Sequence, residues 1–204
     1  MVKIKYMLKE QFIGRNPSHF KINPLVEAFI LSETFLWSAW YFVIPILAIF
    51  VVKDIKGGDI QVAGLAFSFY LLVRIIFEIF TGRYLGGSQG KSFMITFVGI
   101  LFLSVSYLGF AFLHSILGLF LSYAVMGVGL GIASPAKNAL FVTHLDKNKE
   151  ASEWSIYDAL TFIGMAFSTA LGGFIAAQYG FDFLFLFAAA LNLFSIVPYL
   201  LYTR

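Results

Sequence analysis

Six long apolar stretches dominate the sequence, and the segments between them are short and hold most of the charged residues. Each stretch has about 20 residues or more, which is the length that an α-helix needs to cross a bilayer hydrocarbon core about 30 Å thick. Because lipid offers no hydrogen-bonding partner to an open backbone, such stretches fold as helices. We therefore expect an all-α membrane protein with six transmembrane helices, at residues of about 25–52, 60–81, 92–113, 116–142, 154–177 and 183–202.

The composition supports a membrane protein and excludes several classes of function. Hydrophobic residues make up 60% of the chain and charged residues 12%, against about 25% charged residues in an average soluble domain. The net charge of +3 comes without a basic cluster interleaved with aromatic residues, so nucleic acid is not an expected partner. The chain has no cysteine and its three histidines lie far apart, so we expect no disulfide, no metal site and no cofactor.

The N-terminal segment and the charged loops predict how the chain sits in the membrane. Residues 1–23 are mixed and basic and predict either a short amphipathic surface helix or a disordered tail, ahead of a six-helix domain at residues 24–204. Cytoplasmic loops are enriched in lysine and arginine. With the N-terminus inside, ten of these residues lie in inner segments and two, Lys53 and Lys56, in outer turns. We therefore expect a multi-pass protein of the plasma or inner membrane with both termini in the cytoplasm.

Small residues recur four apart in the fourth and fifth apolar stretches. Gly127 and Gly131 form one set, and Gly164, Ser168 and Gly172 form the other. Four residues make about one helical turn, so each set lies on one face of its helix. Small faces let membrane helices approach closely. The pattern is typical of ordinary helix packing, and it also fits surfaces on which helices slide during a functional movement.

Two glycine-flanked segments indicate an internal repeat. Residues 82–90 begin and end with Gly82 and Gly90, and residues 172–180, which open with Gly172 and Gly173, have the same spacing 90 residues later. The first segment leads from the second helix into the third, and the second leads from the fifth into the sixth. In the topology above, one turns inside and the other outside. Two three-helix units of inverted topology would give this arrangement, which is common in transporters. We expect Gly82, Gly90, Lys91 and Gly173 to serve in helix packing or gating, like the glycines of the fourth and fifth stretches.

The chain resembles the N-terminal six-helix half of a major facilitator superfamily transporter over residues 25–204. Residues 127–136, GVGLGIASPA, resemble the glycine-rich fourth helix of that family. Residues 164–173 and the following FIAAQYGF resemble its fifth-helix motif and the turn into the sixth helix. The resemblance implies two inverted three-helix repeats, half of the family's fold. Because family members usually have twelve helices, it also implies a second six-helix unit as partner, either another copy or a separate half.

The loop between the second and third helices shows where the chain follows the family pattern and where it departs from it. Leu85, Gly90 and Lys91 match the family's loop motif. Gly87 and Ser88 stand where the family has an acidic residue and an arginine.

Two further departures concern proton coupling. Tyr123 takes the place of the fourth-helix arginine that many members use for this purpose, and Thr169 replaces the proline of the antiporter motif. The resemblance therefore implies the fold without supporting proton-driven antiport.

Arg74 and Glu78 are ionisable residues within the second apolar stretch. Such residues are costly in a membrane and often functional. Their spacing of four puts them on one helical face, where they can pair. One interpretation is that they bind a substrate or a coupling ion. The other is that they form a structural ion pair, or that Arg74 extends to the inner membrane surface.

Glu33 lies about 12 Å into the first helix, at about 1.5 Å per residue, without a basic neighbour in the local sequence. Trp37 and Tyr41 follow on the same face. One interpretation is a substrate or coupling-ion group in an aromatic cavity; the other is a protonated carboxyl, or one paired with Arg74 across helices. In the resembled family the first and fourth helices line the central cavity, which favours Glu33, Trp37, Tyr41 and Tyr123 as site residues.

Two polar features flank the segment between the fourth and fifth helices. Asp158 and Lys137 either pair across it or reach water separately at the interface. Ser134 and Pro135 predict a kink in the fourth helix, since proline removes a backbone donor.

The functional hypotheses are a transporter and a membrane interaction protein. The first moves a small solute by alternating access, with the glycines of the fourth and fifth helices as sliding surfaces. The second is a truncated or non-transporting chain that acts in assembly. An intramembrane enzyme is not expected, because Ser134 is the only suitable serine and no apolar stretch contains a histidine base.

Overall fold

The computed structural model describes residues 22–85 and 89–202, and these ranges are almost entirely helical. The predicted N-terminal tail therefore lies largely outside the described residues. The sixth apolar stretch forms two helices, α6 and α7, which together make one candidate membrane span at 181–201. The helices are α1 (Pro24–Asp54), α2 (Ile60–Leu85), α3 (Gln89–Phe112), α4 (Ile116–His144), α5 (Glu150–Tyr179), α6 (Phe181–Phe194) and α7 (Val197–Tyr202).

Local sequence explains why the connections are short. Asn23 caps α1 by accepting a hydrogen bond from the Leu25 N–H at 3.0 Å, and Pro24 occupies the first turn, where its missing donor costs nothing. Ser115 caps α4 by accepting from the Gly118 N–H at 3.1 Å. Gly180 adopts a φ of +85°, which lets α5 end and α6 begin with only this glycine between them.

The helices form two inverted three-helix repeats, as the sequence predicts. The central helices are α1 and α4. Both α2 and α3 pack along α4, while α5 and α6 pack along α1. Exchanging α1 with α4, α2 with α5 and α3 with α6 converts one set of contacts into the other. The two outer helices of each repeat thus pack against the first helix of the other repeat. The helices α2 and α5 keep the most exposed apolar surface.

Four of the glycines singled out in the sequence lie at close helix contacts. A Cβ added at Gly131 of α4 would lie 2.7 Å from the Arg74 carbonyl oxygen of α2, and one at Gly127 would lie 2.8 Å from the carbonyl of Tyr70. The equivalent positions on α5 face α1, where Gly164 abuts Ser38 and Gly172 abuts the Phe42 carbonyl. Larger side chains would force these helix pairs apart.

The other three glycines proposed for packing lie at open positions. A Cβ added at Gly82, Gly90 or Gly173 would meet no atom within 4 Å among the described residues. The prediction that these three glycines pack against another helix is therefore wrong for the described residues, because no other helix approaches them there. A gating role stays a prediction. The expected loop at 82–91 is shorter too, since α2 continues to Leu85 and α3 begins at Gln89, which places Gly82, Gly90 and Lys91 inside helices.

One other helix differs from the expectation in continuity. α4 runs through Pro135 as a single helix, and the kink expected there stays a prediction. The sixth span, in contrast, breaks at Ser195, whose hydroxyl donates to the Asn192 carbonyl at 2.6 Å. Ser32 of α1 donates to the Ser195 carbonyl, also at 2.6 Å. A side chain from the central helix therefore satisfies the backbone oxygen exposed by this break.

Candidate functional site

A buried ion pair joins the two central helices. Glu33 of α1 and Lys137 of α4 are 1% and 2% exposed, and the Lys137 ammonium contacts the Glu33 carboxylate directly. Trp37, one turn after Glu33, donates from its indole nitrogen to the same carboxylate at 3.0 Å. The ammonium also lies 5.0 Å from the centre of the Trp37 ring, within cation–π distance. Both charges are thus fully engaged inside the protein.

This pair corrects two expectations about charge partners. Glu33 pairs with Lys137 and not with Arg74, and Lys137 consequently does not pair with Asp158. The physical reason is that Glu33, in the first third of α1, and Lys137, two turns before the end of α4, lie at the same end of the bundle and face each other there.

Arg74 organises a second polar cluster on α2. Its Nε donates to Glu78 at 3.2 Å, and a terminal nitrogen donates to the Tyr70 hydroxyl at 3.2 Å. The other terminal nitrogen reaches the Ser134 hydroxyl of α4 at 3.5 Å. The Arg74 and Glu78 side chains are 27% and 41% exposed, so the predicted pair is present and, unlike Glu33–Lys137, remains accessible to a ligand.

A cavity of about 240 Å³ lies beside both clusters. Its wall combines charged groups, a hydroxyl, an amide and aromatic rings drawn from α1, α2, α4 and α5. It occupies the part of the bundle near the start of α1 and α5 and the end of α2 and α4, the end predicted to be cytoplasmic. The lining residues are Phe29, Trp37, Arg74, Glu78, Ser134, Lys137, Asn138, Trp154 and Tyr157.

The structure brings some of the predicted site residues together and separates others. Trp37, Arg74 and Glu78 line the cavity, and Glu33 is held just behind its wall. Tyr123 is 3% exposed and packs in an aromatic cluster, with its ring centre 5.1 Å from that of Phe110.

Tyr41 is likewise away from the cavity and packs against the main hydrophobic core. Sequence reasoning had not assigned Lys137, Asn138, Trp154 and Tyr157 to the site. Of these, Lys137 carried a usable signal, because it is an ionisable residue well inside an apolar stretch.

Among the residues of the described ranges, no group of three or more histidine, aspartate or glutamate side chains is arranged to hold a metal ion. The polar groups of the cavity are instead arranged for hydrogen bonding and ion pairing. A bundle of inverted three-helix repeats with a polar cavity beside its central helices is an arrangement that is common among transporters. The family model for the Major Facilitator Superfamily matches residues 29–204, and the chain belongs to that family.

Two curated relatives are similar in sequence to parts of this chain. The chain is 25% identical over 122 residues to the bacillibactin exporter of Bacillus subtilis (strain 168), a match that covers 58% of this chain and 30% of that protein. It is 24% identical over 168 residues to the proton-coupled antiporter flippase LtaA of Staphylococcus haemolyticus, covering 78% of this chain and 40% of that protein.

Its fold is similar to the in meso crystal structure of the POT family transporter PepTSo. The TM-score is 0.75 at 15% sequence identity, and the match covers 89% of this chain and 37% of that chain. The chain therefore spans less than half the length of each of these proteins.

Proposed function

We propose that the chain moves a small solute across the cell membrane by alternating access, with a second six-helix unit completing the pathway. The observation that carries the proposal is the cavity in which the accessible Arg74–Glu78 pair faces polar and aromatic groups of the two central helices. Ionisable residues inside a membrane protein mark substrate or ion pathways. The distribution of lysine and arginine supports a cytoplasmic location for both termini.

The cavity wall suits a small polar solute. Arg74 supplies donors, Glu78 supplies acceptors, and Ser134 and Asn138 supply neutral hydrogen-bonding groups. A volume of about 240 Å³ is slightly below the ~300–1,000 Å³ of typical ligand pockets. This size fits one side of a binding site whose other side comes from a second unit. The Glu33–Lys137 pair has the role of holding Trp37 and the central helices in position.

The exposed surfaces of α2 and α5 support a second unit. Large apolar side chains on these helices lie open, including Leu72 at 61% and Phe167 at 68% exposure. The halves of transporters of this type share one orientation in the membrane, so another copy of the chain or a separate half would both satisfy the geometry. The exporter and flippase names of two relatives support a solute taken up from the cytoplasmic side, which is the side on which the predicted topology puts the cavity.

Tryptophan fluorescence offers a direct test of solute binding, since two of the three tryptophans, Trp37 and Trp154, line the cavity. The full chain in lipid nanodiscs would be titrated with a panel of anionic, cationic and zwitterionic small solutes. We expect at least one to change the fluorescence. Arg74→Gln should weaken that binding about tenfold or more, the usual loss for a charge-assisted contact, whereas Arg83→Gln, on the same helix outside the cavity, should not.

Flux of the binding solute into proteoliposomes then separates transport from assembly. Accumulation that is lost in Arg74→Gln and retained in Arg83→Gln would support a transporter. Binding without flux, combined with an Arg74→Gln variant that changes only the oligomeric state, would instead favour the non-transporting interaction protein and overturn the proposal.

A further inference from the structure

An apolar groove runs along the outside of the bundle between α2 and α3. These two helices each pack along α4 but barely touch one another over the described residues. The resulting furrow has a volume of about 450 Å³. Its walls are formed by α2 and α3 and its floor by one residue of α4. The lining residues are Phe80, Thr81, Tyr84, Ile95, Val98 and Ile132.

The groove begins at the membrane surface and runs inward. Tyr84 lies one residue before the end of α2, and Lys91 lies two residues after the start of α3. From Lys91 to Val98 the helix advances about 10 Å at about 1.5 Å per residue. The groove thus starts at headgroup depth and extends into the hydrocarbon region. An open apolar furrow at this depth is filled in a bilayer by an acyl chain, since water would be costly there.

Positive charge is concentrated at the mouth of the groove. The Lys91 ammonium lies 5.2 Å from the centre of the Tyr84 ring, a cation–π contact that leaves its remaining donors directed away from the ring. Arg83, next to Tyr84, is also exposed. The sequence contains no acidic residue between Glu78 and Asp146, so no carboxylate from that stretch neutralises these cations. A negatively charged phosphate group would complement the positive charge of Lys91 and Arg83 at this end of the groove.

We propose that this groove is a binding site for one anionic phospholipid of the surrounding bilayer. One acyl chain lies between α2 and α3 against Ile95 and Val98, and the headgroup phosphate pairs with Lys91 beside Tyr84. The α2 residues Thr81 and Tyr84 of the groove continue the helical face on which Phe77 packs against Gly131 of α4, one to two turns further along α2. An occupied groove would therefore support the end of α2, beyond its close contact with α4. The proposal does not depend on which solute the protein moves.

Native mass spectrometry of the full chain, released from detergent micelles, tests the site. The probes are phosphatidylglycerol and phosphatidylcholine with identical acyl chains. We expect the first phosphatidylglycerol to bind about fivefold more tightly than phosphatidylcholine, the usual contribution of one cation near an anionic lipid surface. Lys91→Gln should remove this difference. Lys53→Gln, which removes a lysine at the other end of the bundle, should preserve it.

A second pair of variants tests the groove itself. Val98→Trp fills the furrow and should weaken the binding of both lipids about fivefold or more. Val105→Trp should leave binding unchanged, because Val105 is also an exposed valine but lies two turns along α3, outside the groove. Lys91→Gln is a surface change and keeps the test valid even if Val98→Trp fails to fold. Equal binding of both lipids by the unaltered chain would overturn the proposal. The proposal would also be overturned if the chain formed a dimer without lipid adducts and Val98→Trp abolished that dimer.

Discussion

Lys137 and Glu33 form an ion pair between the two central helices, with side chains 3% and 2% exposed. Each charge is stabilised mainly by the other, because neither side chain is exposed to water. The pair also fixes Trp37, which contacts both partners. The pair links α1 and α4 near the end of the bundle predicted to be cytoplasmic.

Removing either partner should therefore destabilise the protein strongly. Glu33→Gln or Lys137→Gln leaves one buried charge unpaired, and we expect the free energy of unfolding to fall by about 3–5 kcal/mol. The double variant has no buried charge and should recover most of that loss. Thermal unfolding in detergent would measure all three, with Lys53→Gln as the exposed control. A double variant as unstable as the sum of the single ones would contradict the pairing.

Two adjacent glycines of α5 provide a matched test of helix packing. A Cβ at Gly172 would overlap the Phe42 carbonyl of α1, whereas one at Gly173 would meet nothing within 4 Å. Gly172→Ala should lower the free energy of unfolding by about 1–3 kcal/mol, the range for overpacking. Gly173→Ala should change it by less than about 0.5 kcal/mol. Equal effects, measured by the same unfolding experiment, would show that α1 and α5 are not in close contact.

Arg74→Lys should separate charge from geometry in the cavity. Arg74 donates to three oxygens on two helices, and an ammonium cannot reproduce this planar fork. We expect Arg74→Lys to weaken solute binding nearly as much as Arg74→Gln while leaving thermal stability little changed, since the side chain is partly exposed. Tryptophan fluorescence titrations report the first property. Wild-type affinity in Arg74→Lys would show that only the charge is needed.

The absence of cysteine makes the predicted orientation easy to measure. Every introduced thiol is unique, so Lys53→Cys and Lys147→Cys each report one side of the membrane. A membrane-impermeant maleimide applied to intact cells should label Lys53→Cys at once, and should label Lys147→Cys only after the membrane is opened. The reverse pattern would place both termini outside.

The membrane class, the inverted repeats and the family follow from the sequence, because apolar length and glycine spacing are local properties of the chain. The prediction that the glycine-rich segment 82–91 is entirely a loop was wrong. Glycine is a weak helix breaker where neighbouring turns and surrounding lipid favour hydrogen-bonded backbone, and α2 and α3 accordingly extend into the segment.

The candidate site was predictable only in part. Arg74 and Glu78 lie one turn apart, so their pairing can be derived from helical spacing alone. The partner of Glu33 is 104 residues away, and only the packing of the helices brings it near. Tyr123 illustrates the opposite case, because its place in the family pattern suggests a site residue, while its aromatic neighbours hold it in the core.

The two ion pairs beside the cavity, Glu33–Lys137 and Arg74–Glu78, each sum to zero charge. Moving one elementary charge across a membrane potential of about 100 mV involves about 2.3 kcal/mol. A protein whose internal charges cancel in pairs carries no net gating charge from these groups when its helices rock. Voltage dependence of transport, recorded as a current across a planar bilayer, would therefore report the charge of the solute and its accompanying ions.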